Sequence, residues 1–342
     1  MVIRGHLRAI VASLALLPML ACFGIGGEKV NSPSSATIGG AGTTDVYLTG
    51  HGLNANSVPA AKIWKNGVAI WESDGTKSFY IRTIAVDGND IYAAGEDASG
   101  STLIGTLWKN GTIIWQSDGT RSTFIYSISI SGSDVYMAGQ EMGITGFIGR
   151  VWKNGTSILQ TPEAGISSIQ SVVASGSDYY AAGIEGDQAK SWNNGVPTSL
   201  GTGFTYSTAN AIVLSGNSLF VAGFIQNPTQ PKAALWIDGV NQWVSDSPNN
   251  DFGRALAVSG SDTYIAGEEF NGSYFMAKIW KNGTATLLSD GTSEARAHGI
   301  AVSGGDVYTV GEVNNVATLW KNGAATPLPN GTSATSIFVT VN

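Results

Sequence analysis

The tetrapeptide Trp-Lys-Asn-Gly, or a close variant of it, occurs seven times in this chain of 342 residues. Neighbouring copies lie 44 or 40 residues apart, and a fixed period of this length is typical of β-propeller blades and of some helical repeats. A chain with such a period is expected to fold as an array of similar units. The copies begin at Trp64, Trp108, Trp152, Trp192, Trp236, Trp280 and Trp320.

The choice between helical and β repeats follows from the spacing of the apolar residues. After the first 30 residues, no window places apolar residues at i, i+3, i+4 and i+7 between helix caps. Gly accounts for 45 of the 342 residues, and Val, Ile, Ser and Thr recur in short alternating runs. This composition is typical of many short strands joined by tight turns. The sequence therefore predicts an all-β chain.

One period contains four predicted strands, labelled a to d. The second period has strand a at residues 84–86, strand b at 90–95, strand c ending at Trp108 and strand d at 112–116. The Asn-Gly pair between strands c and d tolerates the positive φ angles of a type I′ turn, and so does the Asp-Gly pair at Asp238. Each period is therefore predicted to form one blade of four antiparallel strands.

The two ends of the repeat region predict how the array closes. Residues 43–50 form a strand b with no strand a before it, and residues 335–342 form a strand a with no strand b after it. Pairing these two strands would close a ring of seven blades and remove an exposed sheet edge. We therefore expect residues 41–342 to form one seven-bladed β-propeller.

The repeat resembles two known propeller families. Residues 299–311, with the sequence GIAVSGGDVYTVG, are similar to the first two strands of NHL and SBBP propeller repeats. The resemblance recurs around most of residues 43–342 and implies the propeller fold. The Trp-Lys-Asn-Gly turn departs from both families, so no ligand is carried over from them.

The N-terminal residues have the pattern of an export signal. Arg4 and Arg8 precede an uncharged and mostly apolar run at residues 9–21, which would span only about 20 Å as a helix. That length is too short for a hydrocarbon core of about 30 Å. Residues 1–21 are therefore predicted to be a signal peptide.

The only cysteine, Cys22, follows the sequence Met-Leu-Ala at the end of this run. The four residues resemble the lipobox of bacterial lipoproteins, which implies lipidation at Cys22. Phe23 is not the Asp that resembles an inner-membrane retention signal, so we expect a lipid anchor in the outer membrane. An ordinary cleaved signal peptide is the alternative. Residues 22–40 are rich in Gly and Ser and are predicted to be a flexible tether.

The charge and the residue types limit the ligands to be expected. Removal of residues 1–21 changes the net charge from −7 to −9, which disfavours a nucleic-acid partner. A single cysteine and the absence of a His-rich spacing give no motif for a metal site. We expect a monomer without a cofactor.

Two predicted functional rings consist of positions at which the blades differ. The first lies at the start of strand a and the second directly after strand b, and both are expected to open on the face formed by the d–a and b–c loops. The first ring contains Arg82, Tyr126, Gln170, Asn210, Arg254, His298 and Thr335. The second ring contains His51, Glu96, Gln140, Ile184, Phe224, Glu268 and Glu312.

Aromatic residues stand two positions before the first ring in three blades, at Tyr80, Phe124 and Phe252. Aromatic faces next to hydrogen-bonding groups suit sugars or peptide segments. We therefore predict a binding module for a glycan, a peptide or a partner protein. Variation in loops that are under little constraint would explain the same pattern, and a purely structural scaffold remains an alternative.

A carbohydrate-active enzyme is the other alternative. A glycosidase needs two carboxylates at a defined separation, and Glu268 and Glu312 lie in adjacent blades. The sequence contains no Gly-x-Ser-x-Gly motif and no phosphate-binding loop. Three SDGT tetrapeptides, beginning at Ser73, Ser117 and Ser289, resemble the Asp-box of sialidases but lack its following aromatic residue. Turn chemistry is sufficient to explain them.

The repeated residues are predicted to be scaffold. The seven motif Trp residues should be buried between neighbouring blades, since burial of each ring contributes roughly 2–3 kcal/mol. Trp71, Trp115 and Trp243 share a position on strand d, where packing against a neighbouring blade is expected. The motif lysines should lie on exposed hairpins and need no function. They are Lys65, Lys109, Lys153, Lys281 and Lys321.

Overall fold

The computed structural model describes residues 44–341, apart from residues 55, 164 and 228, and every regular element in this part is a β-strand. The predictions for residues 1–40, including lipidation of Cys22, fall outside the described residues. Within the described ranges, no helix is long and apolar enough to cross a membrane.

The strands form seven sheets of four, which we number as blades from the first strand in the chain. Blade 1 contains β28 (Gly331–Val341), β1 (Thr44–Leu53), β2 (Pro59–Lys65) and β3 (Val68–Glu72). Blade 2 contains β4 (Phe79–Asp87), β5 (Asp90–Asp97), β6 (Ile104–Lys109) and β7 (Thr112–Gln116). Blade 3 contains β8 (Thr123–Ser131), β9 (Asp134–Met142), β10 (Phe147–Lys153) and β11 (Thr156–Gln160).

The remaining four blades repeat this order. Blade 4 contains β12 (Ser167–Ser175), β13 (Asp178–Glu185), β14 (Gln188–Asn193) and β15 (Val196–Ser199). Blade 5 contains β16 (Ser207–Ser215), β17 (Ser218–Asn227), β18 (Gln230–Ile237) and β19 (Val240–Val244). Blade 6 contains β20 (Asn250–Ser259), β21 (Asp262–Phe270), β22 (Phe275–Lys281) and β23 (Thr284–Leu287). Blade 7 contains β24 (Ala295–Ser303), β25 (Asp306–Val313), β26 (Val316–Lys321) and β27 (Ala324–Pro327).

The blades are arranged as a closed ring. The first strand of each blade contacts the first strand of the next, and β24 contacts β28, which in turn contacts β4. These strands a are almost wholly buried, whereas strands d are mostly exposed, so strand a is innermost and strand d forms the rim. The predicted seven-bladed β-propeller is therefore confirmed.

The predicted closure is also confirmed. β28 pairs antiparallel with β1, and Val341 lies opposite Thr44 while Phe338 lies opposite Tyr47. The first and last described residues therefore meet at one end of blade 1. We call this end the lower face, which also carries the a–b and c–d turns. The upper face carries the d–a and b–c loops.

The c–d turns have the predicted type I′ geometry. Asn110 has a φ of 51° and Gly111 a φ of 78°, and the other six turns have the same pair of positive angles. The Asn110 Oδ1 atom accepts a hydrogen bond from the N–H of Ile91 at 2.8 Å, and its Nδ2 donates to Asp90 Oδ1 at 2.9 Å. The Asn side chain therefore fixes the turn and also ties it to the start of strand b.

The motif Trp residues are scaffold, as predicted, since all seven are between 0% and 5% exposed. Trp236 of blade 5 donates from its Nε1 to the Leu200 carbonyl at the end of blade 4, at 3.0 Å. Trp320 of blade 7 makes the same bond to Leu288 of blade 6, at 3.1 Å. Each indole therefore packs between its own blade and the preceding one.

The strand d Trp residues pack against the next blade, which also confirms their prediction. The ring of Trp115 lies 6.2 Å from that of Trp152, and Trp243 lies 6.1 Å from Trp280. A Cβ added to Gly155 would approach Trp115 to 2.5 Å. The Gly of the c–d turn therefore also leaves room for the indole of the preceding blade.

The motif lysines lie on exposed hairpins but are not free. Lys109 lies 2.7 Å from Asp90 Oδ2 and 5.1 Å from the centre of the Tyr92 ring, and the hydrogen bonds to these two groups raise its pKa. Blades 1, 3, 6 and 7 repeat this Lys, Asp and Tyr arrangement. The lysines therefore brace the lower face and add no uncompensated charge to it.

Candidate functional site

Each innermost strand carries a β-bulge at the same place, near the upper face. The ladder between β4 and β5 pairs Ile81 with Gly95 and then Thr83 with Ala94, so Arg82 is the extra residue. The same shift occurs in all seven blades, and the bulged residues are the first predicted ring: Arg82, Tyr126, Gln170, Asn210, Arg254, His298 and Thr335. Bulges reorient single side chains and are common beside functional sites.

A glycine of strand b lies beside each bulge and makes it possible. A Cβ on Gly95 would lie 1.9 Å from the backbone oxygen of Tyr80, and the equivalent distances in the other six blades are 1.8–2.0 Å. No larger residue fits so close to a backbone oxygen. The second predicted ring consists of the residues that directly follow these glycines.

Most side chains of the two rings are buried. Tyr126, Gln170, Asn210 and Arg254 are at most 6% exposed, and both Glu96 and Glu268 are fully buried. The expectation that both rings open onto the upper face therefore applies to part of the circumference only. Burial reflects pairing within the rings, since the bulged residue lies beside the residue after the glycine.

Two blades share the same buried ion pair. In blade 2, Arg82 Nε donates to both carboxylate oxygens of Glu96, at 2.8 and 2.7 Å. In blade 6, Arg254 Nε donates to Glu268 Oε1 at 2.8 Å, and its Nη2 donates to the same oxygen. Burial raises the pKa of Glu96, and Arg82 together with the Ile125 N–H opposes that rise.

The side of the ring formed by blades 5 and 6 is filled by aromatic residues. Phe224 and Phe252 are buried, with ring centres 5.0 Å apart at an angle of 79°. Tyr206 and Phe275 pack against them. In blade 3, Phe124 is half-buried and stacks with Tyr126 at 6.3 Å. Phe252 is therefore part of the packing, although it was predicted to contact a ligand.

The opposite side, formed by blades 7, 1 and 2, remains accessible. Tyr80 is 43% exposed, His51 is partly exposed, and the side chains of His298 and Glu312 are 18% and 19% exposed. Arg82 is buried beside these groups, where its Nε binds Glu96 and its guanidinium carbon lies 5.8 Å from the centre of the Tyr126 ring. We call His51, Tyr80, Arg82, His298 and Glu312 the open sector.

The open sector is held by contacts between three blades. His298 Nε2 lies 3.0 Å from Glu312 Oε2, which also accepts a hydrogen bond from Ser333 of β28. The rings of His51 and Tyr80 meet edge to face, with centres 5.3 Å apart. Both histidines of the described chain therefore lie in one small region, beside an exposed aromatic ring.

Two ionisable groups of the open sector have strongly shifted pKa values. Burial and the nearby Arg82 lower the pKa of His51 to about 4, although Glu312 opposes this shift, so His51 is neutral at pH 7. Burial alone would raise the pKa of Glu312, but His298 and the hydrogen bond from Ser333 outweigh it and hold the pKa at about 2. Shifts of this size are common at functional sites.

The carboxylates proposed for the enzyme alternative are not paired with each other. Glu268 is bound by Arg254, and Glu312 is bound by His298 and Ser333. A glycosidase acid needs a raised pKa, whereas the pKa of Glu312 is lowered to about 2. The contacts of these two residues therefore argue against acid–base catalysis by this pair. Within the described residues, no group of three or more His, Cys, Asp or Glu side chains could hold a metal ion.

Two grooves on the upper face were not predicted from the sequence. One lies between blades 1 and 2 and has a volume of about 420 Å³, and the other lies between blades 2 and 3 with about 330 Å³. Their shared lining includes Thr76, Lys77 and Ser78 in one and Thr120, Arg121 and Ser122 in the other. The available signal in the sequence was the similar tripeptide, Thr-Lys-Ser or Thr-Arg-Ser, that follows the first two SDG sequences.

Comparison with known proteins gives the fold and no family. No family model matches the chain, and no curated protein matches it by sequence. Among solved structures, it is similar to the β-propeller domain of the Trilobed protease from Pyrococcus furiosus, with 12% identity and a TM-score of 0.53 over 84% of this chain and 92% of that one. It is also similar to an acylaminoacyl peptidase from Pyrococcus horikoshii, with 13% identity and a TM-score of 0.52 over 84% of this chain and 51% of that one. At these identities the likeness is one of architecture alone.

Proposed function

We propose that this protein is a non-catalytic binding module whose ligand contacts the upper face at the open sector. The observation that carries the proposal is the contrast around the ring. The bulged residues of blades 1 to 6 are all buried, whereas His298 of blade 7 is partly accessible, and the neighbouring His51, Tyr80 and Glu312 are partly accessible with it. A purely structural ring has no need of this asymmetry.

The chemistry of the open sector suits a neutral, hydrogen-bonding ligand such as a glycan or a peptide segment. Arg82 is paired with Glu96, and the carboxylate of Glu312 is hydrogen-bonded to His298 and Ser333, so both charged groups already have partners within the protein. Tyr80 offers a flat apolar face, and His51, Arg82 and Glu312 offer donors and acceptors around it. Binding sites for small ligands combine these two elements.

The proposed location is the cell envelope, with the protein anchored by lipid at Cys22 in the outer membrane. The position of the chain ends is compatible with this proposal, because the described chain begins at Thr44 on the lower face. A tether of residues 22–40 would then leave the upper face directed away from the membrane. We also propose, from the resemblance of the sequence, that the blades are of the NHL or SBBP type.

A thermal-shift screen tests the proposed function. The purified chain would be screened against glycans, peptidoglycan fragments and peptides, alongside an Arg82→Met/His298→Gln variant. A ligand at 100-fold its dissociation constant adds about 2.7 kcal/mol, which is several degrees of melting midpoint for a domain of this size. We expect a shift that the variant loses. A shift of equal size in both proteins would place the ligand elsewhere, and no shift with any compound would favour the scaffold alternative.

A suitable control is Lys281→Met, which removes a cation on the lower face. Lys281 is paired with Asp262 at 2.8 Å and lies over the Tyr264 ring. Its loss should change the melting midpoint of the free protein without changing the shift that a ligand causes.

A further inference from the structure

The two upper-face grooves are copies of each other. Six lining positions of the first groove recur 44 residues later in the second, namely Val58/Thr102, Thr76/Thr120, Lys77/Arg121, Ser78/Ser122, Ala98/Met142 and Ser99/Gly143. Because 44 residues is the repeat that separates blade 1 from blade 2, the two grooves occupy equivalent places on adjacent blades. We call them the tandem grooves.

Each groove presents one cation beside hydroxyl groups. The Lys77 side chain is 51% exposed, whereas the side chain of its partner Asp97, at 2.9 Å, is only 8% exposed. Asp97 also accepts hydrogen bonds from the N–H and the hydroxyl of Ser99. Ser99 therefore binds one oxygen of this carboxylate and Lys77 the other, while the lysine side chain remains half exposed beside the Phe79 ring.

The second groove has the same elements. Arg121 is 36% exposed at the side chain and lies 3.3 Å from Glu163, a long and partly exposed ion pair. Exposed pairs of this kind contribute little to stability and exchange readily with other partners. Ser122 Oγ accepts a hydrogen bond from the Leu103 N–H at 3.1 Å, so its own proton remains available to a ligand.

A third copy of the same loop shows that the fold does not require the cation. In all three SDGT loops, the Asp side chain accepts hydrogen bonds from the Thr N–H and hydroxyl two residues later, at 2.7–3.0 Å. The loop between blades 6 and 7 has this turn at Asp290 and Thr292. However, Ser293 and Glu294 replace the cation and the serine there. Lys77 and Arg121 therefore need an explanation other than the turn.

We propose that the tandem grooves bind an acidic polysaccharide, with one carboxylate on Lys77 and another carboxylate, a disaccharide unit further along the polysaccharide, on Arg121. This site is separate from the open sector. It rests on the proposed function only because both sites lie on the upper face. Sugar hydroxyls would bond the Thr and Ser hydroxyls of each groove, which supply donors and acceptors without further charge.

The repeat favours a polysaccharide over an acidic peptide. Equivalent grooves suit a ligand that repeats at the same interval, and packed sheets are roughly 10 Å apart, a distance that a disaccharide unit can span. A peptide would need two acidic residues at a matched spacing. The chain as a whole has a net charge of −7, so attraction to a polyanion comes only from these local cations and should fall with salt.

The test uses oligogalacturonates as probes for the purified full chain at low ionic strength. We expect an oligomer that reaches both grooves to bind more tightly than one that fills a single groove, because the second contact is intramolecular. Lys77→Ala/Arg121→Ala should weaken binding at least about tenfold, since two charge-assisted hydrogen bonds are lost. Lys281→Ala/Lys321→Ala should have no effect, because these lysines are similarly exposed and paired but lie on the lower face.

A gain-of-function variant keeps the test independent of folding defects. Ser293→Lys/Glu294→Ser installs the same pair of residues in the third loop and should strengthen binding of long oligomers. No binding of any oligogalacturonate, or equal losses in the two double variants, would overturn the proposal. Equal binding of poly-glutamate would assign the grooves to acidic peptides instead. An unchanged result with Arg82→Met/His298→Gln would show that the grooves act apart from the open sector.

Discussion

A single glycine in each blade determines where a functional side chain can emerge. Gly95 and its six equivalents allow the strand a backbone to approach strand b at the bulge, and the bulge presents Arg82 and its counterparts. The sequence repeats the glycine because its place has no room for a Cβ. It varies the bulged residue because the surrounding backbone accepts many side chains there.

Gly95→Ala should therefore destabilise the protein strongly. The new Cβ would lie 1.9 Å from the Tyr80 oxygen, and separating the strands would break the bulge. We expect a loss of about 3 kcal/mol or more in the free energy of unfolding, measured by urea denaturation. Gly100→Ala is the matched control, because its nearest neighbour would be a backbone oxygen at 4.0 Å. Equal stability of the two variants would show that strand separation is easily accommodated.

The lowered pKa of His51 predicts a defined pH dependence. In the unfolded chain His51 binds a proton below about pH 6.5, whereas in the folded chain it remains neutral down to about pH 4. The unfolded state therefore binds more protons within this window, and stability should fall as the pH drops from about 6.5 to 4.

The His51→Gln variant should lose this part of the acid sensitivity. We expect the wild-type protein to lose about 1–3 kcal/mol more than the variant between pH 7 and pH 4, by urea denaturation at each pH. Parallel losses in the two proteins would contradict the assignment. The contribution of Glu312 is lost as the pH falls from about 4.5 to about 2, so it affects only the acid end of this range, and it is present in both proteins.

Among the structural elements, the c–d turn and the indole next to it stabilise each blade. The Asn-Gly pair sets the turn, the Asn side chain ties it to strand b, and the Trp packs against the preceding blade. These contacts explain why the Trp-Lys-Asn-Gly sequence is repeated with fewer changes than the sequences of the strands. They also leave the upper-face loops free to differ.

The hydrogen bonds that the indoles make between blades predict that a Trp→Phe substitution destabilises the protein to different extents at different blades. Trp236 Nε1 is bound to the Leu200 carbonyl, whereas the equally buried Trp64 Nε1 has no partner among the described residues. Both changes to Phe lose similar volume, but only Trp236→Phe leaves a carbonyl without its donor. We expect Trp236→Phe to cost about 1–2 kcal/mol more than Trp64→Phe in urea denaturation. Equal costs would mean that packing alone holds the blades.

The strands, the turns and the ring closure were predictable because each corresponds to a pattern that repeats along the sequence. Asn-Gly pairs mark hairpins, and the missing strands at the two ends predict β28 against β1. No repeated sequence pattern indicates which residues of the two rings are exposed. Arg82 and Arg254 have the same bulge and the same Glu partner, yet only Arg82 is next to accessible groups, because Phe224 and Phe252 fill the ring near Arg254.

At the scale of the whole molecule, closure separates two faces with different roles. The lower face carries both described chain ends and the Lys–Asp–Tyr arrangements, which are internally neutralised. The upper face carries the open sector and the tandem grooves, which both involve blades 1 and 2. A ligand is therefore expected to contact one side of one face.

Hydrogen–deuterium exchange can locate the ligand on the propeller. The probe is the compound that gives the largest shift in the thermal screen, compared with the free protein under the same conditions. We predict slower exchange in the upper-face loops and strand ends around His51, Tyr80 and His298, with no change in the Asn-Gly turns. Slower exchange at those turns, or along the outermost strands, would show that the ligand does not bind at the open sector.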